Sequence, residues 1–184
     1  MNKKLGALIG GAVLGLGLAY IAAVAVDYTG QPKFCESCHE MKPMADSFEI
    51  SVHGGNNAQG FAAHHCTDCH LPHNSLGGYL VMKGISGGRD FLAHIGLIKQ
   101  VDFKENFHEM DKYVYDSACL HCHEGIKNID KPSGLSANIR NIHKKFYWDA
   151  KKDGKDVSCV SCHNDYNQAN FAHPNLLSTL GEEK

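Results

Sequence analysis

The chain has 184 residues, with 18 basic against 20 acidic side chains and a formal net charge of −2 when histidine is neutral. That length fits one domain plus an extra segment, and without a basic patch nucleic-acid binding has no support. The unusual content is eight cysteines and 13 histidines.

Leu5 to Val26 is a run of 22 residues without a charge, preceded by Lys3 and Lys4 and closed by Asp27. As a helix rising about 1.5 Å per residue it reaches roughly 33 Å, enough for a hydrocarbon core of about 30 Å. The two lysines keep the amino end inside. Ala23-Val24-Ala25 resembles a signal-cleavage site, but the apolar stretch exceeds the roughly 7–15 residues of a signal peptide. Residues 1–28 are therefore read as a retained transmembrane anchor. Gly6/Gly10 and Gly11/Gly15 give small-xxx-small spacings through which anchors could form a homo-oligomer.

All eight cysteines fall in four copies of Cys-x-x-Cys-His. These are Cys35-Glu36-Ser37-Cys38-His39, Cys66-Thr67-Asp68-Cys69-His70, Cys119-Leu120-His121-Cys122-His123 and Cys159-Val160-Ser161-Cys162-His163. The spacing reads as c-type haem attachment: two thiols form thioethers to the vinyl groups and the adjacent imidazole ligates the iron. A histidine after all four pairs arises by chance with odds of about 10⁻⁵, and neither zinc sites nor a disulfide framework requires it. Four covalently bound c-type haems are thus the expected cofactors. The motif starts are separated by 31, 53 and 40 residues, which is no fixed period and argues against a solenoid. Covalent haem is attached outside the cytoplasm, and no cysteine is left for a disulfide. Residues 29–175 are read as a periplasmic haem domain on the inner (cytoplasmic) membrane, and 176–184 as a tail.

Four haems also bring propionates that the formal charge omits, which lysines and arginines will partly serve. Their macrocycles will supply much of the buried apolar mass. Gly54-Gly55-Asn56-Asn57 and Asp130-Lys131-Pro132-Ser133-Gly134 read as loops, and a helix is expected near Ala137–Asp149. Convincing period-2 strands are absent. The fold class expected is mainly α with much irregular backbone: one transmembrane helix, then short helices wrapped around haems.

Tyr79–Val101 differs in character. Leu80, Val81, Ile85, Phe91, Leu92, Ile95 and Ile98 form an approximate helical stripe, broken by Gly84, Gly87 and Gly88 and interrupted by Lys83, Arg89 and Asp90. Such a segment can lie in the membrane interface or pack on a haem; the anchor upstream favours the interface. Lys83 and Asp90 are titratable groups on an otherwise apolar segment, where desolvation tunes pKa values. Arg89 suits a propionate, because its fork matches a carboxylate.

Nine histidines lie outside the motif ends: His53, His64, His65, His73, His94, His108, His121, His143 and His173. The surplus supports bis-histidine electron-transfer haems, although spacing does not assign a histidine to each iron. His64 and His65 abut Cys66 and read as polar neighbours, and His121 is poorly placed for its own iron. Met41 follows the first motif by two residues. It is either a thioether ligand that raises the haem potential or a methionine packed on the macrocycle.

Cys35-Glu36-Ser37-Cys38-His39-Glu40-Met41-Lys42-Pro43, Ser51-Val52-His53, Cys69-His70-Leu71-Pro72-His73 and Lys83-Gly84-Ile85-Ser86-Gly87-Gly88-Arg89-Asp90 resemble the NapC/NirT family of membrane-anchored multihaem quinol dehydrogenases. The likeness runs from the anchor through the fourth motif and is nearest to the NrfH branch, which feeds cytochrome c nitrite reductase. The resemblance implies Met41 rather than His39 on the first iron, Asp90 on its open side and Lys83 lining the quinol pocket. It implies His70 paired with His143 and His123 paired with His53. His163 would hold the exit haem, its second ligand being a partner lysine or His173, although His173 lies ten residues beyond His163, a long gap.

The function this implies is oxidation of menaquinol and transfer of electrons to a periplasmic multihaem reductase, with cytochrome c nitrite reductase the first choice. The chain would be a quinol dehydrogenase subunit rather than the terminal reductase, since it has no Cys-x-x-Cys-Lys motif. The alternatives are a quinol dehydrogenase serving nitrate reductase or several acceptors, and a soluble tetrahaem carrier released by cleavage. The motif count predicts four haems per chain in an alkaline pyridine assay; three or fewer would show that a Cys-x-x-Cys-His copy is not an attachment site.

Overall fold

The computed structural model of the chain describes residues 2–100, 102, 103, 106 and 109–163. His108, His173 and the tail 176–184 lie outside the described residues. Among those described, every regular element is helical and no strand occurs.

The uncharged run forms α1, Lys3–Tyr28, with no buried residue. It alone among the described residues is long and apolar enough to cross a membrane. Helices of this kind close all backbone hydrogen bonds within themselves, which is what hydrocarbon demands. The chain beyond it is not a loose tether. His65 Nε2 lies 3.1 Å from Asp27 Oδ1, and the Cys66 amide donates to the Gly30 carbonyl at 2.9 Å. A Cβ on Gly30 would sit 2.8 Å from Thr67 Oγ1, so a side chain there would push the second motif off the anchor.

Three short helices follow: α2, Pro32–Cys35; α3, Lys42–Glu49; and α4, Thr67–His70. The sequence-expected loop after α3 is present, and it folds tightly enough that a Cβ on Gly54 would collide with the Phe48 carbonyl.

α5, Leu76–His94, starts where Ser75 Oγ accepts from the Gly78 amide, a conventional N-cap. It runs unbroken through Gly84, Gly87 and Gly88, the glycines that interrupt its apolar stripe. Glycine weakens a helix by about 1 kcal/mol but does not end one. The real stop is Gly96, at φ +74°, where the Leu97 amide reaches back to Leu92 and the Gly96 amide to Ala93. This is a glycine C-cap of the Schellman kind. Leu76, Val81, Ile85, Phe91 and Leu97 stay well exposed on and just beyond this helix.

The second half is built from Asp116–Cys122, Glu124–Lys127, Ala137–Lys152 and Cys159–Cys162. The expected helix at Ala137 continues to Lys152 through a π-helical turn at Lys144–Asp149. That turn directs Tyr147 Oη to Asp116 Oδ2 at 2.6 Å and Trp148 Nε1 to the Ile126 carbonyl at 2.9 Å. Asp116 also accepts from the Cys159 amide at 2.7 Å and pairs with Lys151 at 2.8 Å. One carboxylate thus joins the third motif, the long helix and the fourth motif.

The polypeptide's own core is small. The buried apolar residues are Ala45, Leu71, Ala93, Ala118, Ile129, Tyr147, Ala150 and Val160, half of them alanine.

Burial alone would raise the Asp116 pKa, but hydrogen bonds from Lys151, Tyr147 and Cys159 overcome it and hold the carboxyl below its ordinary value. A depressed folded pKa stabilises the fold above the unfolded value of about 3.9 and stops doing so as pH falls through the folded one. Asp116→Asn in the haem-loaded chain should therefore cost about 1–3 kcal/mol at pH 7, read as a lower guanidinium midpoint. The gap to the native chain should close in strong acid; a gap that persists there would mean shape rather than charge.

Candidate haem sites and redox pocket

The four motifs meet in two pairs. The thiols of Cys35 and Cys66 lie close enough to perturb each other's titration, as do those of Cys119 and Cys159. In each pair the first cysteine of one motif lies beside the first cysteine of another, so the attachment points are adjacent. Cys69, of the second motif, is also close to Cys119 and Cys122 of the third. Its thiol is pushed up to about 12, chiefly by burial.

The donor set fits covalent haem. Each motif offers two thiols and an imidazole, and further imidazoles stand opposite motif histidines. The rings of His53 and His123 have centroids 6.3 Å apart, and those of His143 and His163 are 6.0 Å apart. Two imidazoles on opposite sides of one metal, with bonds of about 2 Å each, give roughly the same separation. Desolvation first, and then the neighbouring His53, His163 and His143, hold His123 below its ordinary pKa. That favours the neutral imidazole, the form that ligates metal.

The His53–His123 contact is the one the family resemblance implies. His143 differs: the resemblance pairs it with His70, whereas here its ring lies against His163 at an interplanar angle of 9°. His70 instead has its Nδ1 2.9 Å from the Tyr113 carbonyl. The reason is positional, because His143 ends the α-helical part of the long helix just before the π turn that Asp116 draws toward the fourth motif.

Around the first motif, His39 and Met41 part company. The His39 side chain is 80% exposed and its Nε2 contacts Glu40 at 3.4 Å. Met41 lines a recess with Cys38, Glu40, Asp90, His94 and Phe103. His94 Nδ1 lies 3.1 Å from Glu40 Oε2. Sequence reasoning counted His94 only as a spare histidine and did not single out Glu40 or Phe103. The two paired groups are 54 residues apart, and no spacing rule connects them.

Lys83 and Asp90 share a face of α5, two helical turns apart. Lys83 Nζ is shut off from solvent without a hydrogen-bond partner. Burial pushes its pKa down, against the opposing pull of Cys35 and Asp27. Crowding raises the Asp90 carboxyl, although Arg89 and His70 work the other way and part of the residue's surface remains open. A shielded ammonium beside Cys35, with no hydrogen-bond partner among the described residues, marks a place where a ligand group completes the site.

Among the described residues, His65, His73 and His121 act as packing and bridging groups. His65 holds Asp27, and His121 lies on His73 with centroids 5.0 Å apart. His73 Nε2 is in turn 3.1 Å from the Thr67 carbonyl.

Comparison with known proteins agrees with this construction. A profile of the NapC/NirT cytochrome c family, N-terminal region, matches residues 1–174. The chain is 33% identical over 126 residues to the cytochrome c nitrite reductase subunit NrfH of Nitratidesulfovibrio vulgaris, covering 65% of this chain and 69% of that one. It is 32% identical over 178 residues to the tetraheme c-type cytochrome CymA of Shewanella oneidensis, covering 91% and 88%. The cytochrome c-type protein TorC of Escherichia coli is 27% identical over 84% of this chain, which spans only 31% of TorC. Among solved structures, a chain of the cytochrome c nitrite reductase NrfHA complex bound to the HQNO inhibitor matches with a TM-score of 0.56 and 27% identity, covering 88% of this chain and 89% of that one.

If Met41 rather than His39 faces the first iron, Met41→Ala should alter the spectrum and potential of one haem and leave three unchanged. His39→Ala should leave all four nearly as they were; a redox titration with the reverse outcome would restore His39 as ligand.

Proposed function

Because the chain belongs to the NapC/NirT cytochrome c family and so carries covalent haem, we propose that it is a membrane-anchored quinol dehydrogenase that oxidises menaquinol and feeds a periplasmic reductase. The observation that carries this reading is the shielded, unpartnered Lys83 Nζ beside Cys35, with Asp90 two turns away in the Met41 recess. Both lie on a helix whose apolar side chains are exposed, and Lys83 feels the charge of Asp27 near the end of a helix able to cross a membrane. A lipid-soluble quinol can reach such a place without leaving the bilayer interface.

Oxidising a quinol to a quinone removes two protons and two electrons. The haems supply the electron path, one electron at a time. The chain's part is to bind and orient the quinol and to take its protons. Lys83, its pKa lowered by burial, can receive a hydrogen bond or proton from a quinol hydroxyl more readily than an ordinary lysine. Asp90, with its raised pKa, can hold a proton nearer neutral pH. We assign Met41 to the first iron, His53 with His123 to the third, and His143 with His163 to the fourth, in place of a partner lysine or His173. His70 serves the second. The haem domain would face the periplasm, with the amino end of α1 inside.

Cytochrome c nitrite reductase is the first choice of acceptor, since NrfH is a relative and the NrfHA complex a structural neighbour. A second reading keeps the same mechanism and has the chain serve several acceptors. A stable complex that survives gel filtration would favour the first, and rapid exchange between acceptors the second.

The deciding experiment is anaerobic mixing of the detergent-solubilised, haem-loaded chain with a menaquinol analogue, followed by haem absorbance. Reduction that HQNO blocks is expected. Lys83→Leu should slow quinol-driven reduction at least about tenfold while dithionite still reduces every haem. Unchanged quinol kinetics would remove Lys83 from the site, and no reduction of the native chain would make it a carrier fed from elsewhere.

A further inference from the structure

The sequence offers no basic run, yet the fold gathers one. A second recess, away from the Met41 pocket, is lined by Lys127, Lys131, Lys144 and Lys152 together with Asp130 and Trp148. The segment 124–155 carries eight cations (Lys127, Lys131, Arg140, Lys144, Lys145, Lys151, Lys152 and Lys155) against four carboxylates (Glu124, Asp130, Asp149 and Asp153). That is +4 in a chain whose formal total is −2, so the remainder holds −6 and the charge is segregated.

Internal pairing uses only part of this charge. Lys144 holds Asp130 at 2.6 Å, and Lys152 lies 3.7 Å from Asp149. Among the described residues, Lys127 and Lys131 have no ion-pair partner, and all four lysines are exposed. The recess is fixed rather than a chance meeting of mobile side chains. The Trp148 indole is tied to the Ile126 carbonyl, and Ile129 beneath it is buried. It adjoins the helix that begins directly after His123, between the third and fourth motifs, where Cys122 and Cys162 are exposed.

We propose that this lysine-lined recess is the docking surface for an acidic face of the soluble protein that accepts electrons from the chain. The proposal rests on the electron-delivery reading given above. Complementary charge raises encounter rates and fixes orientation. Placed beside the third and fourth motifs, the recess would bring the acceptor to the end of the haem series farthest along the chain from the anchor.

The test uses the full haem-loaded chain in uncharged detergent with fluorescent octaglutamate as probe. The haem propionates are then in place, so lysines they occupied would be closed to the probe. Binding is expected at low salt and should fade at about 0.15 M, where the Debye length is about 8 Å. The variant Lys127→Gln/Lys131→Gln/Lys144→Gln/Lys152→Gln should bind about tenfold more weakly, as several exposed ion pairs together would give. The control Lys33→Gln/Lys42→Gln should bind like the native chain. Failure of the native chain to bind, or equal binding by the fourfold variant, overturns the proposal. So does a variant that keeps octaglutamate but loses its hold on phosphatidylglycerol vesicles, which would make the recess a lipid contact. Quinol-driven haem reduction, measured on the same variant, should be unchanged; its absence in the native chain would count against the quinol reading and leave the docking result standing.

Discussion

The constraint on which everything else depends is that this polypeptide cannot bury enough of itself. Half of its buried apolar residues are alanines, and among the described residues no large side chain is fully buried. A domain of this size normally stabilises itself by covering large aliphatic and aromatic groups. Here the side chains that converge are cysteines and histidines, and in a cytochrome c the covalently attached macrocycles contribute the apolar bulk. Short helices suffice because each has only to present a motif, not to build a layer.

Polar ties do the work that packing does elsewhere. Asp116 joins three segments through its contacts, which together hold its carboxyl below the ordinary value against the effect of burial. Asp27 and Gly30 join the anchor to the second motif in the same way, by an ion pair, a backbone hydrogen bond and a contact too close for a side chain. The result is a haem domain seated directly on its anchor, and α5 with its exposed apolar residues follows the second motif within six residues. The two titratable groups of the proposed quinol site stand on that helix, so access from lipid and proton chemistry come from one element.

Electrostatics divides the molecule functionally. Near the anchor, single ionisable groups are perturbed by burial: Lys83 downward and Asp90 upward. Farther along the chain, lysines are numerous and exposed. The first arrangement suits proton exchange with a substrate held in a confined place, and the second suits reversible contact with a macromolecule. In the proposed function, the four haem motifs would link the two regions.

Much of this was legible in the residues. The four motifs and the uncharged run pointed to covalent haem, a membrane-length helix and a mainly α chain with much irregular backbone, because thioether chemistry needs a fixed local spacing and a bilayer needs a fixed length. The roles proposed for Met41, Lys83 and Asp90 came from the family resemblance; local pattern alone left Met41 open between ligand and packing and marked Lys83 and Asp90 only as titratable groups on an apolar segment. What the sequence could not show is which groups meet across the chain. His143 lies with His163, Glu40 with His94 across 54 residues, Cys35 with Cys66, and four lysines from two separate segments around Trp148. Attachment and insertion are local chemistry, written in consecutive residues. Ligand pairing and surface charge are set by how the segments are brought together, which only the folded chain decides.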